Sequence, residues 1–263
     1  MKSVTVVCAS ARVGILELRT IYTVPAFIST VILRVVFMAI FFGMTAKWLG
    51  GGDFAEYVLL GNCVAVIVVE TMQATSTAVL EQTRGTLPYL LASKSRVGIV
   101  FLTRGFHWLV TGVATSVSLL LLVALHGDAQ WSVADAARMI PILLLVSLSS
   151  YFLGVVMGSI SIQFVKARGI IASTSFFALA AFTGVNVPVE TWPAPVQILG
   201  DLLPLRWGLA AVRSVSDSAP VGDVLQFSLY EALVAAGWAT AAFLCMNGLV
   251  ERARKNGTLD ISV

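Results

Sequence analysis

The stretch "EQTRGTLPYLLASKSR", residues 81–96, is polar and charged, and it separates two long apolar runs. Gly85 can end an incoming helix, and Thr86 suits an N-cap. Pro88 then falls in a first turn, where its missing N–H costs nothing. A short helix over about 87–93 follows, with Leu87, Leu90 and Leu91 along one apolar side. Lying across a membrane face, such a helix would offer a rigid knob to a partner. A plain connecting loop fits the same local chemistry.

The rest of the chain says what this break connects. Hydrophobic residues make up 58% of the 263 and charged residues only 12%, with a mean hydropathy of +0.91. A soluble domain carries about 25% charged residues. So little polar surface cannot cover a large core in water, and the composition identifies an integral membrane protein. Most of the 17 basic residues are scattered in short loops and at the ends, which fits basic loops beside a membrane rather than nucleic-acid binding. Cys8, Cys63 and Cys245 lack metal-ligand spacing and read as small hydrophobes.

A bilayer core of about 30 Å takes roughly 20 helical residues to cross. Six stretches qualify: about 24–46, 57–79, 98–125, 139–162, 169–187 and 222–249. The expected fold is all-α and polytopic, one transmembrane domain over residues 1–263. Residues 9–21, "ASARVGILELRTI", are too charged to span and too apolar for a free tail; an interfacial helix is expected there. Arg12, Glu17 and Arg19 interrupt this region before a long apolar core develops, which argues against a cleavable signal.

Six spans place both termini on one side. That side, with the second and fourth loops, holds Lys2, Arg12, Arg19, Arg84, Lys94, Arg96, Lys166, Arg168, Arg252, Arg254 and Lys255. The opposite side holds Lys47, Arg138, Arg206 and Arg213. Eleven against four puts both termini, residues 81–96 and the tail 250–263 in the cytoplasm.

On the outer side, "GVNVPVETWPAPVQILGDLLPLRWGLAAVRSV" (184–215) is apolar but broken by Pro188, Pro193, Pro195 and Pro204. The pieces 195–203 and 205–214 reach only about 15 Å each at 1.5 Å per residue, too short to cross. Two short amphipathic helices dipping into the outer leaflet and returning, over 188–214, fit better if protein or water shields their backbone ends. Trp192 and Trp207 suit an interfacial aromatic belt.

Three ionisable groups lie deep: Arg34, Glu70 and Glu231. A charge at mid-span costs about 2.5–3.5 kcal/mol on insertion scales, so such groups pair or face a polar cavity. Arg34 and Glu70 fall at comparable depth on antiparallel spans, so an ion pair is geometrically reasonable. The functional reading places Arg34, Glu70 and Glu231 on a translocation path; the structural one makes Arg34–Glu70 a lock between helices. Arg104 and His107 lie one turn apart in the third span, where snorkelling accounts for Arg104. Gly154-x-x-x-Gly158 permits close helix packing and is a candidate dimer seam.

The phosphate-loop motif G-x-x-x-x-G-K-[ST] is absent, as are H-E-x-x-H and G-x-S-x-G. The chain reads as a non-enzyme with no cofactor of its own, and energy for uphill transport would enter through a partner.

"LEQTRGTLPYLLASKSR" resembles the E-x-x-R-G-T-L-x-x-L-L-x-S/T-x-x-x-R signature of type-2 ABC exporter permeases, a family of drug, polysaccharide and lantibiotic exporter subunits. Glu81, Arg84, Gly85, Thr86, Leu87, Leu90, Leu91, Ser93 and Arg96 match; Pro88 departs, where an acidic residue is common. The later segment is similar to the family's G-x-x-x-P, W-P, L-P-L and A-x-R pattern through Gly184, Pro188, Trp192, Pro193, Leu203, Pro204, Leu205, Ala211 and Arg213. The resemblance implies that 81–96 is a coupling helix docking on a nucleotide-binding ATPase subunit. It also implies that 188–214 is an extracellular re-entrant hairpin at the exit gate, with Trp207 among the gate residues. Two ATPase copies carrying ATP and magnesium would then drive two permeases, identical or homologous, in a bacterial cell membrane. The cargo would be a hydrophobic or amphipathic antibiotic, drug, lipid or peptide. A proton-coupled carrier using Glu70 and Glu231 is the alternative, although such carriers usually show more spans or internal repeats.

Overall fold

The computed structural model describes residues 9–10, 12–14, 16, 33–48, 52–76, 97–126, 131–162 and 164–256. They form α1 (Leu33–Trp48), α2 (Asp53–Thr71), α3 (Val97–Arg104), α4 (His107–His126), α5 (Val133–Ser161), α6 (Arg168–Phe182), α7 (Ala194–Leu202), α8 (Arg206–Ser216) and α9 (Val221–Asn256). No strand occurs among the described residues.

Four helical stretches are long and apolar enough to cross a membrane: Phe54–Ser76, Gly98–Leu125, Val133–Ser161 and Val221–Arg252. They coincide with the expected second, third, fourth and sixth spans. Of the expected first span, residues 24–32 lie outside the described residues, and the rest is α1. The expected fifth span, 169–187, is shorter than read. α6 stops at Phe182 after 15 residues, about 22 Å at 1.5 Å per residue. Thr183 turns its hydroxyl back onto the Leu179 carbonyl, and Gly184 takes φ +86, a conformation that ends helices and that glycine adopts without penalty.

α5 is longer than read, beginning at Val133 rather than 139. Ser132 caps it reciprocally: the Asp135 amide donates to Ser132 Oγ at 3.2 Å, and the Ser132 amide donates to the Asp135 carboxylate at 3.0 Å. The third span is interrupted at Gly105–Phe106, which divides α3 from α4. Residues 9–16 are helical where described, and Gly14 lies against the Arg104 carbonyl at that interruption.

α5 is the central helix, packed against α2, α4, α8 and α9. One buried cluster joins α2 (Leu59, Ile67), α4 (Leu119, Leu120), α5 (Leu143, Val146) and α8 (Leu209). Hydroxyls stitch the helices: Ser116 donates to the Cys63 carbonyl at 2.8 Å and Ser147 to the Leu109 carbonyl at 3.1 Å. Such bonds suit a membrane interior, where an unpartnered hydroxyl has no water to turn to.

The Gly154–Gly158 seam is occupied within the chain. A Cβ at Gly154 would lie 3.0 Å from the Thr71 carbonyl, and one at Gly158 would lie 3.3 Å from Thr75 Cα. Thr75 donates its hydroxyl to the Gly154 carbonyl at 3.2 Å. The pair lets the end of α2 nest on α5, so this stripe is filled in the monomer. Gly158→Leu should lower stability by about 2 kcal/mol, the cost of overpacking a closed contact. A lower midpoint of thermal unfolding for the full chain in detergent is the check.

Candidate functional site

Glu81, Arg84, Gly85, Thr86, Leu87, Leu90, Leu91, Ser93 and Arg96 all lie outside the described residues. The segment's flanks are described. On the α2 side, residues 74–76 add a helical turn that rests on Gly154 and Gly158 of α5. On the other side, Gly98 at the start of α3 packs against Asn247 of α9. Both flanks of the segment are thus packed on the helical body, one on α5 and one on α9.

The second sequence motif, residues 184–215, is built locally by its prolines. The Pro188 carbonyl accepts both the amide and the hydroxyl of Thr191, forming the 3-10 turn Val189–Thr191. Pro193 precedes α7, a helix of nine residues, and Leu203, Pro204 and Leu205 make the turn into α8, a helix of eleven. Trp192 sets its ring edge against Phe182 at 5.9 Å. Trp207 packs against Tyr230 at 4.9 Å and donates its indole N–H to the Asp201 carbonyl at 3.0 Å. Arg206 lies 3.5 Å from the Asp201 carboxylate and 3.6 Å from that of Glu190.

Arg213 fastens this motif to α2. Its Nη2 donates to the Gly184 carbonyl at 2.9 Å and the Tyr57 carbonyl at 3.1 Å, and its guanidinium carbon lies 3.3 Å from the centre of the Tyr57 ring. Burial pulls its pKa down to about 10, which still leaves a cation at neutral pH. Asn62 donates to Asn186 at 2.7 Å beside this contact.

Of the deep charges, Arg34 of α1 and Glu70 of α2 form an ion pair, with Glu70 only 3% exposed. Glu231 is separate from them. It sits fully buried on α9 against Ser149 of α5 and the start of α8, where its carboxylate accepts from the Leu205 and Gly208 amides at 3.2 and 3.0 Å. The three translocation-path candidates thus occupy two places, not one.

A groove of about 250 Å³ lies between the end of α2 and α6, lined by Val69, Met72, Gln73, Ala172, Ser173, Phe176 and Phe177. It suits an apolar body with one or two polar groups. Sequence reading missed it, because its residues are unremarkable on either helix and meet only through the packing. Tyr57 and Ser149 were also missed, though a Tyr and a Ser in apolar runs were visible as groups that need partners. Among the described residues, no group of three or more His, Cys, Asp and Glu could hold a metal ion.

No curated protein matches the chain. The family model for the ABC-2 type transporter membrane domain matches residues 12–216, which include both motif segments and the groove. The chain therefore belongs to the ABC-2 type transporter family and is a transporter permease component.

Proposed function

We propose that the chain is the transmembrane subunit of an ABC exporter that moves a hydrophobic or amphipathic substrate out of the cytoplasm or inner leaflet. Its work comes from a separate ATPase subunit, present in two copies with ATP and magnesium, that grips residues 81–96. A second permease, identical or homologous, completes the path. Both termini face the cytoplasm of a bacterial cell, as the basic residues indicate, and residues 188–214 form the re-entrant hairpin on the outer side.

One observation carries this reading: the family match spans the E-x-x-R-G-T-L stretch. The fixed flanks on α5 and α9 support it, because a push on the segment would reach two helices of the body directly. The apolar groove supports the substrate class. Glu70 and Glu231 are engaged by Arg34, and by Ser149 and backbone amides, so neither stands out as a proton carrier.

Arg84→Ala combined with Leu87→Ala should reduce the ATPase co-purified with the tagged chain by at least about tenfold, the loss of one interface anchor. The thermal midpoint of the chain should not move. Undiminished co-purification, with ATP-driven transport intact, would remove the docking role from this segment.

A further inference from the structure

α8 begins without a cap of its own. Its N-cap position is Leu205, apolar, fully buried, at φ 82 and with no side-chain hydrogen bond to offer. A helix start leaves up to four amides unpartnered, and a local Ser, Thr, Asp or Asn usually takes one. Here the acceptor comes from another helix. Glu231 Oε1 accepts from the Leu205 amide at 3.2 Å and Oε2 from the Gly208 amide at 3.0 Å, while the Ser149 hydroxyl also donates to Oε1. Gly208 lets the start of α8 lie against α5 at this point, since a Cβ there would run into Val146, while Glu231 would be only at contact distance, 3.4 Å.

A carboxylate buried in an apolar helix is expensive, and a local cap would satisfy these amides without it. What the remote carboxylate adds is a joint that forms only when α8 and α9 are in register. The far half of α8 is bound to α2 through Arg213. α8 is therefore a crossbar between α2, which leads into residues 77–96, and α9, on which Gly98 closes that segment.

We propose, on the permease reading above, that Glu231 is a positioning residue for transport, its carboxylate the breakable joint that opens when α8 parts from α9 during turnover. Glutamine keeps the shape but presents an NH₂ where one amide donor already points, so E231Q removes half of the joint with little change in volume.

Hydrogen exchange on the full chain in lipid nanodiscs reads the joint with no ATPase present. Peptides covering residues 205–209 should exchange about tenfold faster in E231Q, the effect of a lost cap. S149A should fall between, and α4 peptides should not change. Unaltered exchange at 205–209 overturns the joint.

Turnover is read with Glu231 in place. In a chain whose Cys8, Cys63 and Cys245 are replaced by alanine, W207C/Y230C puts one thiol on α8 and one on α9, at the two positions whose rings now meet. Bridging them with a short, reducible reagent should lower kcat for ATP hydrolysis, by the complex with the co-purified ATPase, at least about fivefold. KM for ATP should be unchanged, and reductant should restore the rate. Turnover indifferent to the bridge makes Glu231 a structural cap and overturns the proposal. Failure of any ATPase to co-purify with the wild-type chain removes the proposed ATPase-driven export and the turnover role with it. Faster exchange in E231Q would then still establish the joint.

Discussion

Replacing Arg34 by alanine lowers the stability of the folded chain by about 3 kcal/mol, because it leaves Glu70 buried and unpaired. Glu70 is 3% exposed, whereas the Arg34 side chain is 30% exposed, so the two ends of the pair are not equivalent. The arginine can reach toward the surface when its partner is lost; the glutamate has no such exit. E70A should therefore cost less than R34A. The double variant R34M/E70M should recover most of the loss, since apolar side chains of similar length suit a helix contact in lipid better than a lone carboxylate does. Thermal unfolding of wild type, R34M, E70M and R34M/E70M in one detergent gives the coupling energy, which should exceed about 1 kcal/mol for groups in contact. The same set separates structure from transport. A stable R34M/E70M chain that retains ATP-driven transport makes the pair a lock between α1 and α2. One that is stable but inactive places it on the path.

This pair was legible in the sequence through depth alone, because two charges at matching depth on adjacent antiparallel spans have few other partners. Glu231 was not legible in that way. Its partners are backbone amides of a turn 23 to 26 residues earlier, and amides carry no sequence signature. The helices show the same division. Apolar length located the second, third, fourth and sixth spans, since it is the physical requirement for crossing. Their ends follow other chemistry: Ser132 and Asp135 spell out an N-terminal box that moves the start of α5 outward, and Gly184 marks where α6 stops. The Gly154–Gly158 spacing announced a close contact but not its partner. Only the packing shows that Thr71 and Thr75 fill it. Residues 81–96 remain readable by motif alone, as they lie outside the described residues.

Removing the Arg213 side chain should cost about 3 kcal/mol, from charge-assisted bonds worth roughly 1.5–3 kcal/mol and a ring contact worth roughly 0.5–2. One terminal nitrogen bridges the Tyr57 carbonyl of α2 and the Gly184 carbonyl of the turn after α6, while the guanidinium plane covers the Tyr57 ring. Lysine offers a compact ammonium that cannot bridge and stack together, so R213K should recover less than half of the loss. Gly61 shares the contact, since a Cβ there would collide with the Val185 carbonyl and lie 3.1 Å from Nη2. G61A should thus disturb the same joint from the α2 side. Because both changes act on one contact, G61A/R213A should cost less than the sum of the single changes. Thermal unfolding measures the energies, and faster hydrogen exchange confined to residues 183–187 locates the loosening. If R213A costs less than about 0.5 kcal/mol, the range of an ordinary surface change, the motif is held to α2 by apolar contact and the Asn62–Asn186 bond rather than by the arginine. In that case the polar link between α2 and α8 rests on the Ser216 hydroxyl, 3.5 Å from the Glu56 carboxylate.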